Sequence, residues 1–296
     1  MARYAAFETL VAPARPSADP WRLLAGLGLT AVLFMALSFL YSGVLATVMG
    51  QGTWESMSGS LSKGTTPAAV LINLFIFGML ILAIWGALRV VHGRGLISVI
   101  GPPGVALRQF GRVCVALMAV YLLVGLLPLP EDVAPVPNLD PRDWIALLPL
   151  GLAGLVVQTS AEEIAFRGYM QSQLAARFGH PAVWIVVPSV AFALLHYAPG
   201  QMGDSTWAVV IWAALFGVAA ADLTARSGTL GPAIAMHLIN NTSAILFTAP
   251  QGNFDGLALY TYPFSLESAA AMAVWLPLDV MALFCSWLAA RLALRR

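Results

Sequence analysis

Two adjacent glutamates and an arginine stand between strongly apolar runs in the stretch TSAEEIAFRGYM, Thr159 to Met170. Arg167 follows Glu163 by four residues, which is the spacing and order that favour an ion pair on one helical face. Glu162 lies about 100° further around the helix and is left without that partner. The spacing therefore predicts a paired, structural Glu163 and a Glu162 that is free for acid–base chemistry.

Two of the four histidines also lie inside apolar segments. His196 ends the sequence FALLH and shares a helical face with Phe192, while His237 begins HLINN and shares a face with Asn241. Glutamate, imidazole and amide groups can together activate a water and stabilise an oxyanion. We therefore predict a buried polar cluster, drawn from three helices, of Glu162, His196, His237 and Asn241.

The same residues have a plainer interpretation, because polar side chains commonly hydrogen-bond membrane helices to one another. The other two histidines, His92 and His180, lie next to helix ends, where we expect ordinary surface residues whose replacement is nearly silent. Asp222 and Asp279 are isolated within their apolar runs, and we interpret them as structural or helix-end charges.

Composition indicates the elements that must position these residues. Of the 296 residues, 59% are hydrophobic and 10% are charged, whereas a soluble domain carries about 25% charged residues. Apolar runs of about 20 residues recur along the chain, which predicts an all-α, polytopic membrane protein in contact with the lipid bilayer. The net charge of +1 indicates no nucleic-acid partner, and two cysteines predict neither a disulfide framework nor a CxxC metal site.

Hydropathy predicts eight transmembrane spans and a single membrane domain. We expect a cytoplasmic segment at 1–22, a transmembrane domain at 23–290 with its catalytic core at about 144–250, and a cytoplasmic tail at 291–296. The first apolar run is too long for a removed leader, so we interpret it as a retained span. The predicted spans are 23–49, 67–91, 110–129, 144–165, 181–199, 207–225, 229–249 and 268–290.

The basic residues predict the orientation of the chain. With both termini in the cytoplasm, only Lys63 and Arg142 of the fifteen Lys and Arg residues face outward, as the positive-inside rule requires. An acidic loop then lies outside, with Glu131, Asp132, Asp140 and Asp143.

One long helix is expected from Trp144 to Phe178, about 50 Å at about 1.5 Å per residue. Glu162 then lies in the middle or the cytoplasmic half of the membrane. His196 comes late in the fifth span, nearer the outer side. The two can meet only if one helix is tilted, shifted or kinked, and Pro188 could provide the kink.

Three motifs in this order resemble those of the CPBP intramembrane proteases, the CaaX protease and bacteriocin-processing (Abi-type) family. EEIAFR fits EExxxR, FALLH fits FxxxH and HLINN fits HxxxN, and RSGTLGPAIAMHLINN is similar to the family's approach to its third motif. The resemblance covers about residues 145–250. The first three spans and the last carry no motif that matches.

The resemblance implies an intramembrane protease and a role for each motif residue. Glu162 and His196 match the pair that activates the hydrolytic water, and His237 and Asn241 match the pair that stabilises the oxyanion. The remaining motif residues, Glu163, Arg167 and Phe192, would provide structural support.

A metal is an open alternative. Glu162, His196 and His237 could form a three-ligand zinc site with water in the fourth position, and the family is often called a metalloprotease. The soluble zinc-protease signature HExxH is absent, however, and the same residues could work as a metal-free site that activates water.

The resemblance implies an integral protein of the bacterial inner (cytoplasmic) membrane that cleaves a membrane-associated peptide or protein. It does not transfer the prenylated CaaX substrate of eukaryotic relatives. The first alternative is a non-catalytic scaffold that binds a membrane-protein partner. The second alternative is an ion-coupled transporter with a proton relay. It ranks below both the protease and the scaffold, because the polar residues lie in one half of the chain and no paired repeat is evident.

Overall fold

The computed structural model describes residues 2–126 and 133–295. Glu131, Asp132 and Arg296 lie outside these ranges. Helices account for most of the described chain, and six segments within it are long and apolar enough to cross a membrane. The predicted class, a helical polytopic membrane protein, is therefore confirmed.

The α-helices are numbered in chain order. They are α1 (Glu8–Val11), α2 (Pro20–Met49), α3 (Gln51–Ser56), α4 (Ser58–Lys63), α5 (Pro67–Phe75), α6 (Phe77–His92), α7 (Ile97–Ile100), α8 (Pro103–Gly125), α9 (Pro141–Glu163), α10 (Gln171–Arg177), α11 (Pro181–Leu194), α12 (Pro199–Met202), α13 (Thr206–Ser227), α14 (Gly231–Asn241) and α15 (Ala269–Leu294). Two π-helical turns extend α9 and α14, Ile164–Met170 and Thr242–Phe247. Short 3-10 segments lie at Ala2–Phe7, Ala12–Ser17, Gly203–Ser205 and Asp255–Leu257.

Three short strands form a small sheet outside the helices. They are β1 (Val136–Pro137), β2 (Thr248–Pro250) and β3 (Tyr260–Tyr262), in the order β1-β3-β2. β3 pairs antiparallel with β1 and parallel with β2. The sheet joins the loop before α9 to the segment after α14, the two helices that carry the first and third motifs.

Proline begins most of the long helices, because its fixed φ suits the first turn and its missing N–H has no partner there in any case. Pro20, Pro67, Pro103, Pro141 and Pro181 all occupy this position. The side chain of Asp140 also caps α9 by accepting a hydrogen bond from the Arg142 amide at 2.8 Å.

The six long segments are Pro20–Met49, Pro67–His92, Pro103–Gly125, Pro141–Arg177, Pro199–Ser227 and Ala269–Leu294. The predicted fifth span appears as the shorter helix Pro181–Leu194. The predicted seventh span consists of α14 and its π turn, and the chain becomes extended at Thr248. The count of eight spans and the cytoplasmic position of both termini stay predictions.

The expected long helix around the first motif is present. It runs from Pro141 to Arg177, 37 residues, about 55 Å at about 1.5 Å per residue. The π turn was not predicted, and it begins at Ile164, directly after the two glutamates. Such turns are frequent at functional sites.

The largest apolar core joins α8, α11, α13, α14 and α15. Phe192 of α11, Phe216 of α13 and Met236 of α14 lie in it and are at most 2% exposed. Gly217 lets α11 and α13 approach closely, because a Cβ atom there would lie 2.8 Å from Cβ of Ser189. α11, α13 and α14 are the helices that surround the candidate site.

Candidate active site

The two glutamates of the first motif have different surroundings. Glu163 is fully buried, whereas the Glu162 side chain is 14% exposed and lines a small cavity. The rotation of about 100° between neighbouring helical residues accounts for this difference. The different environments expected from the spacing are therefore present.

The predicted ion pair between Glu163 and Arg167 is also present. Nη1 of Arg167 donates to Oε1 of Glu163 at 3.0 Å, and both side chains are fully buried. The guanidinium carbon lies 4.5 Å from the centre of the Phe192 ring, within the range of a cation–π contact. Phe192 thus covers the buried cation, which gives a physical reason for an aromatic residue at the start of the second motif.

His237 contacts both glutamates. Its Nδ1 lies 2.8 Å from Oε1 of Glu163, and its Nε2 lies 3.5 Å from Oε2 of Glu162. Because Oε1 of Glu163 also accepts a hydrogen bond from Arg167, the carboxylate is an acceptor and Nδ1 of His237 carries the hydrogen. The imidazole is buried, and the Phe216 ring lies 4.9 Å away in an edge-on arrangement. Sequence spacing did not predict the bond from His237 to Glu163.

Asn241 belongs to a chain of amide hydrogen bonds. Its Nδ2 donates to Oε1 of Gln158 at 2.9 Å, and its Oδ1 accepts from Nδ2 of Asn240 at 3.2 Å. Oδ1 of Asn240 in turn accepts from the Tyr121 hydroxyl at 3.0 Å. These bonds fix which end of the Asn241 amide is the donor, and they leave its second N–H free for another acceptor.

His196 lies in a turn rather than in the predicted fifth span. α11 ends at Leu194, and the amide of His196 donates to the carbonyl of Ala193 at 2.9 Å. Pro199 prevents the helix from resuming after this turn, since the residue before a proline disfavours helical geometry and Ala198 has a φ of −135°. Nδ1 of His196 lies 3.1 Å from the carbonyl oxygen of Phe192. Nδ1 therefore carries the hydrogen and Nε2 is an acceptor when the ring is neutral.

A cavity of about 60 Å³ joins the candidate residues. All four residues predicted to be catalytic line it, whereas Glu163 and Arg167 lie behind it. Glu162 and His196 were expected at different depths in the membrane. They meet at this cavity because α11 is short and both side chains reach it. The lining consists of Gln158, Glu162, Phe192, His196, Trp212, Phe216, His237, Asn240 and Asn241.

The predicted zinc ligands, Glu162, His196 and His237, do not form a metal-binding group as they lie. In the described part of the chain, no three His, Cys, Asp or Glu side chains are grouped in a way that could hold a metal ion. Nδ1 of His196 and Nδ1 of His237 are both engaged with protein oxygen atoms, which leaves Nε2 of each ring as the nitrogen that could bind a metal, the usual arrangement of a ligating histidine. Zinc stays a prediction for metal analysis.

Several residues of the site were missed in the sequence. Gln158 could have been found, because it precedes Glu162 by four residues and so shares its helical face. Asn240 is adjacent to a motif residue, but neighbouring helical positions do not share a face. Tyr121 and Trp212 come from α8 and α13, which carry no motif, and no signal in the sequence connects them to the site.

The expectation that His92 is an ordinary surface residue is wrong. His92 is half-buried, with Nδ1 2.9 Å from the Ser17 hydroxyl and Nε2 2.8 Å from the Tyr169 hydroxyl. It joins the N-terminal segment, the end of α6 and the π turn after α9. These contacts join residues that are distant in the chain, so local spacing could not predict them. His180 is exposed, as expected, and accepts a hydrogen bond from the Ala182 amide.

Comparison with known proteins agrees with the motifs. Residues 143–243 match the family model described as type II CAAX prenyl endopeptidase Rce1-like, and this segment contains all three motifs. YyaK of Bacillus subtilis (strain 168), an uncharacterized protein, is 24% identical over 199 residues, which span 63% of this chain and 64% of that relative. No solved structure matches the chain.

Proposed function

We propose that this protein is an intramembrane endopeptidase. The premise is that residues 143–243 belong to the Rce1-like family of CAAX prenyl endopeptidases. Family membership supports a protease of the membrane-embedded CAAX type. The observation that carries the finer proposal is the single cavity lined by Glu162, His196, His237 and Asn241. The reaction would be hydrolysis of a peptide bond by a water molecule activated in that cavity.

In the proposed reaction, Glu162 and His196 activate the water. A cavity of about 60 Å³ exceeds the roughly 10–15 Å³ that one water requires, and its lining is polar enough to hold water. Glu162 removes one proton from the water, and Nε2 of His196 accepts a hydrogen bond from the other O–H. The water oxygen then attacks the carbonyl carbon of the substrate, and the carbonyl π electrons move to the oxygen.

His237 and Asn241 would stabilise the resulting oxyanion. Nδ1 of His237 is committed to Glu163, so Nε2 can donate only when the imidazole is protonated on both nitrogens. Two carboxylate oxygens face the ring, Oε1 of Glu163 at Nδ1 and Oε2 of Glu162 at Nε2. The free N–H of Asn241 supplies a second donor. The proton on Glu162 then passes to the leaving nitrogen as the carbon–nitrogen bond breaks.

The proposed substrate is a membrane-associated peptide or protein. Its main chain does not fit a cavity of this size, so the substrate must displace lining side chains when it enters. We propose the bacterial cytoplasmic membrane as the location, because the basic residues follow the positive-inside pattern and a relative comes from Bacillus subtilis. The prenyl group in the family's name is not assigned to this substrate.

The test compares wild type with Glu162→Gln and His196→Ala, purified in one detergent and incubated with a broad peptide library. General-base catalysis contributes about 10²–10⁴-fold, so each variant should lose cleavage by about that factor. Glu267→Gln and His180→Ala are matched controls, since both side chains are exposed and lie outside the cavity. Wild-type turnover in either site variant would show that the water-activating pair is assigned wrongly.

The same experiment tests the scaffold alternative. If neither wild type nor any variant cleaves a peptide, although every variant melts at the same temperature as wild type, a non-catalytic role with a membrane-protein partner is favoured. Substrate-dependent proton flux in liposomes would instead favour transport.

A further inference from the structure

A second, larger cavity lies on the lipid-facing side of α11, α13 and α15. Its volume is about 400 Å³, within the range of about 300–1,000 Å³ found for small-molecule sites. It shares α11 and α13 with the candidate active site but none of its lining residues. We call this cavity the α13–α15 groove.

Two facing stripes of apolar residues form the walls of the groove. On α13 the stripe is Leu215, Val218 and Ala219, followed by Asp222, and on α15 it is Val280, Leu283 and Phe284, followed by Trp287. Both follow the i, i+3, i+4, i+7 spacing of one helical face. Leu215, Val218 and Phe284 are 46%, 38% and 56% exposed, so the groove opens toward lipid.

Both stripes end in polar groups at the same end of the groove. Oδ2 of Asp222 accepts hydrogen bonds from Nε1 of Trp287 at 3.0 Å and from Nε of Arg226 at 2.7 Å. The Tyr4 hydroxyl donates to Oδ1 of the same carboxylate at 2.8 Å. These bonds close that end of the groove by joining α13 to α15 and to the N-terminal segment.

The polar end carries an excess of positive charge. Arg3 lies 3.6 Å from Asp222 with its side chain 62% exposed, Arg226 pairs with Asp222, and the Arg291 guanidinium lies 4.8 Å from the Trp287 ring. Arg3 and Arg226 both face the one carboxylate of Asp222, and this group of three side chains carries one net positive charge. Because Arg3 keeps most of its surface in solvent, it can contact a ligand without giving up the Asp222 contact.

The apolar stripes extend along most of one leaflet of a bilayer. Seven residue steps lead from Val280 to Trp287, which is about 10 Å at about 1.5 Å per residue. Half of a hydrocarbon core of about 30 Å is about 15 Å. A ligand that fills the groove therefore has an apolar chain that lies along one leaflet, with its negative charge beside the polar end.

We propose that the α13–α15 groove binds an anionic phospholipid, with one acyl chain between the two apolar stripes and the phosphate at Arg3. The distribution of basic residues predicts that this end is cytoplasmic, where anionic headgroups attract arginine. The proposal does not depend on the proposed peptidase activity.

The test measures lipid retention by native mass spectrometry and lipid-dependent thermal protection of the purified full chain in detergent. Phosphatidylglycerol and phosphatidylcholine with identical acyl chains are compared. One molecule of phosphatidylglycerol should be retained at least about fivefold more tightly, since one arginine near an anionic surface is worth about that factor. Inorganic phosphate, which lacks the chain, should give no protection.

Two kinds of variant separate the headgroup from the chain. Arg3→Gln should weaken phosphatidylglycerol about fivefold and phosphatidylcholine by less, because the choline cation offsets the charge of its phosphate. Arg177→Gln, at another exposed arginine, should change neither. Ala219→Leu places three more carbon atoms in the groove and should reduce retention of both lipids. If Ala219→Leu lowers the melting temperature even without lipid, Val218→Trp at the exposed rim serves as the groove-filling variant instead.

Equal retention of the two lipids, or equal effects of Arg3→Gln and Arg177→Gln, would overturn the headgroup assignment. Unchanged retention in the groove-filling variant would overturn the chain assignment. Tighter binding of an isoprenoid chain than of phosphatidylglycerol would also overturn the proposal.

Discussion

Replacement of Arg167 is the change for which the structure predicts the largest loss of stability in the site. The guanidinium is fully buried, pairs with Glu163 and lies against the Phe192 ring. Arg167→Met removes the charge while keeping an unbranched side chain at this position. The Glu163 carboxylate then stays buried with one donor, Nδ1 of His237.

The magnitude follows from these contacts. Breaking a buried ion pair by removing one partner costs about 3–5 kcal/mol, and a desolvated cation–π contact adds up to about 2 kcal/mol. The remaining bond from His237 and the apolar contacts of methionine offset part of this loss. We therefore expect a decrease of about 3 kcal/mol in the free energy of unfolding, or about 6–12 °C in Tm on the scale of 150–250-residue domains.

Thermal unfolding of the purified variants in one detergent measures this loss. Arg177→Met, at an exposed arginine of the same long helix, should melt within about 1 °C of wild type. The double variant Glu163→Gln/Arg167→Met should recover part of the loss, because neither charge is left buried and unpaired. A Tm for Arg167→Met within about 1 °C of wild type would refute the reasoning.

Three further predictions concern the surroundings of the site. His92→Ala should lower the free energy of unfolding by about 1–3 kcal/mol, because the buried Tyr169 hydroxyl loses its partner. His180→Ala should lower it by only about 0.5 kcal/mol. Equal melting temperatures of these two variants would contradict the prediction. Tyr121→Phe should lower kcat about two- to tenfold with KM unchanged, because the amide of Asn241 loses part of its orientation; a change in KM alone would assign Tyr121 to substrate binding. A metal-free site predicts that cleavage survives chelation with EDTA, and activity lost on chelation and restored by zinc would establish the metal site.

Local spacing predicted the geometry of the first motif. Glu163 and Arg167 pair because residues four apart share a helical face, and the three motifs meet at one cavity as the resemblance implied. The membrane class followed from composition alone. These features depend on period and composition, which a single sequence contains.

Features that depend on helix ends and on distant contacts were not predictable in this way. Hydropathy placed His196 in a span because apolar residues continue past Leu194, but α11 ends at Leu194 and a turn holds the histidine at the cavity. The bond from His237 to Glu163 and the bond from Tyr121 to Asn240 join separate helices, and no periodicity specifies which helices pack together.

The charges of the site explain why two glutamates stand side by side in a membrane protein. In the proposed ground state, Glu162, Glu163, Arg167 and protonated His237 sum to zero charge, which limits the cost of burying them in an apolar surrounding. Activation of the water moves one negative charge from the Glu162 carboxylate to the oxyanion, and the total stays zero. The Glu162 carboxylate and then the oxyanion would lie beside Nε2 of His237. On the other side of the ring, Nδ1 is bound by Glu163, which is itself paired with Arg167. In the proposed mechanism, the cation that would stabilise the transition state is in place before the reaction begins, so little reorganisation would oppose the transfer of charge.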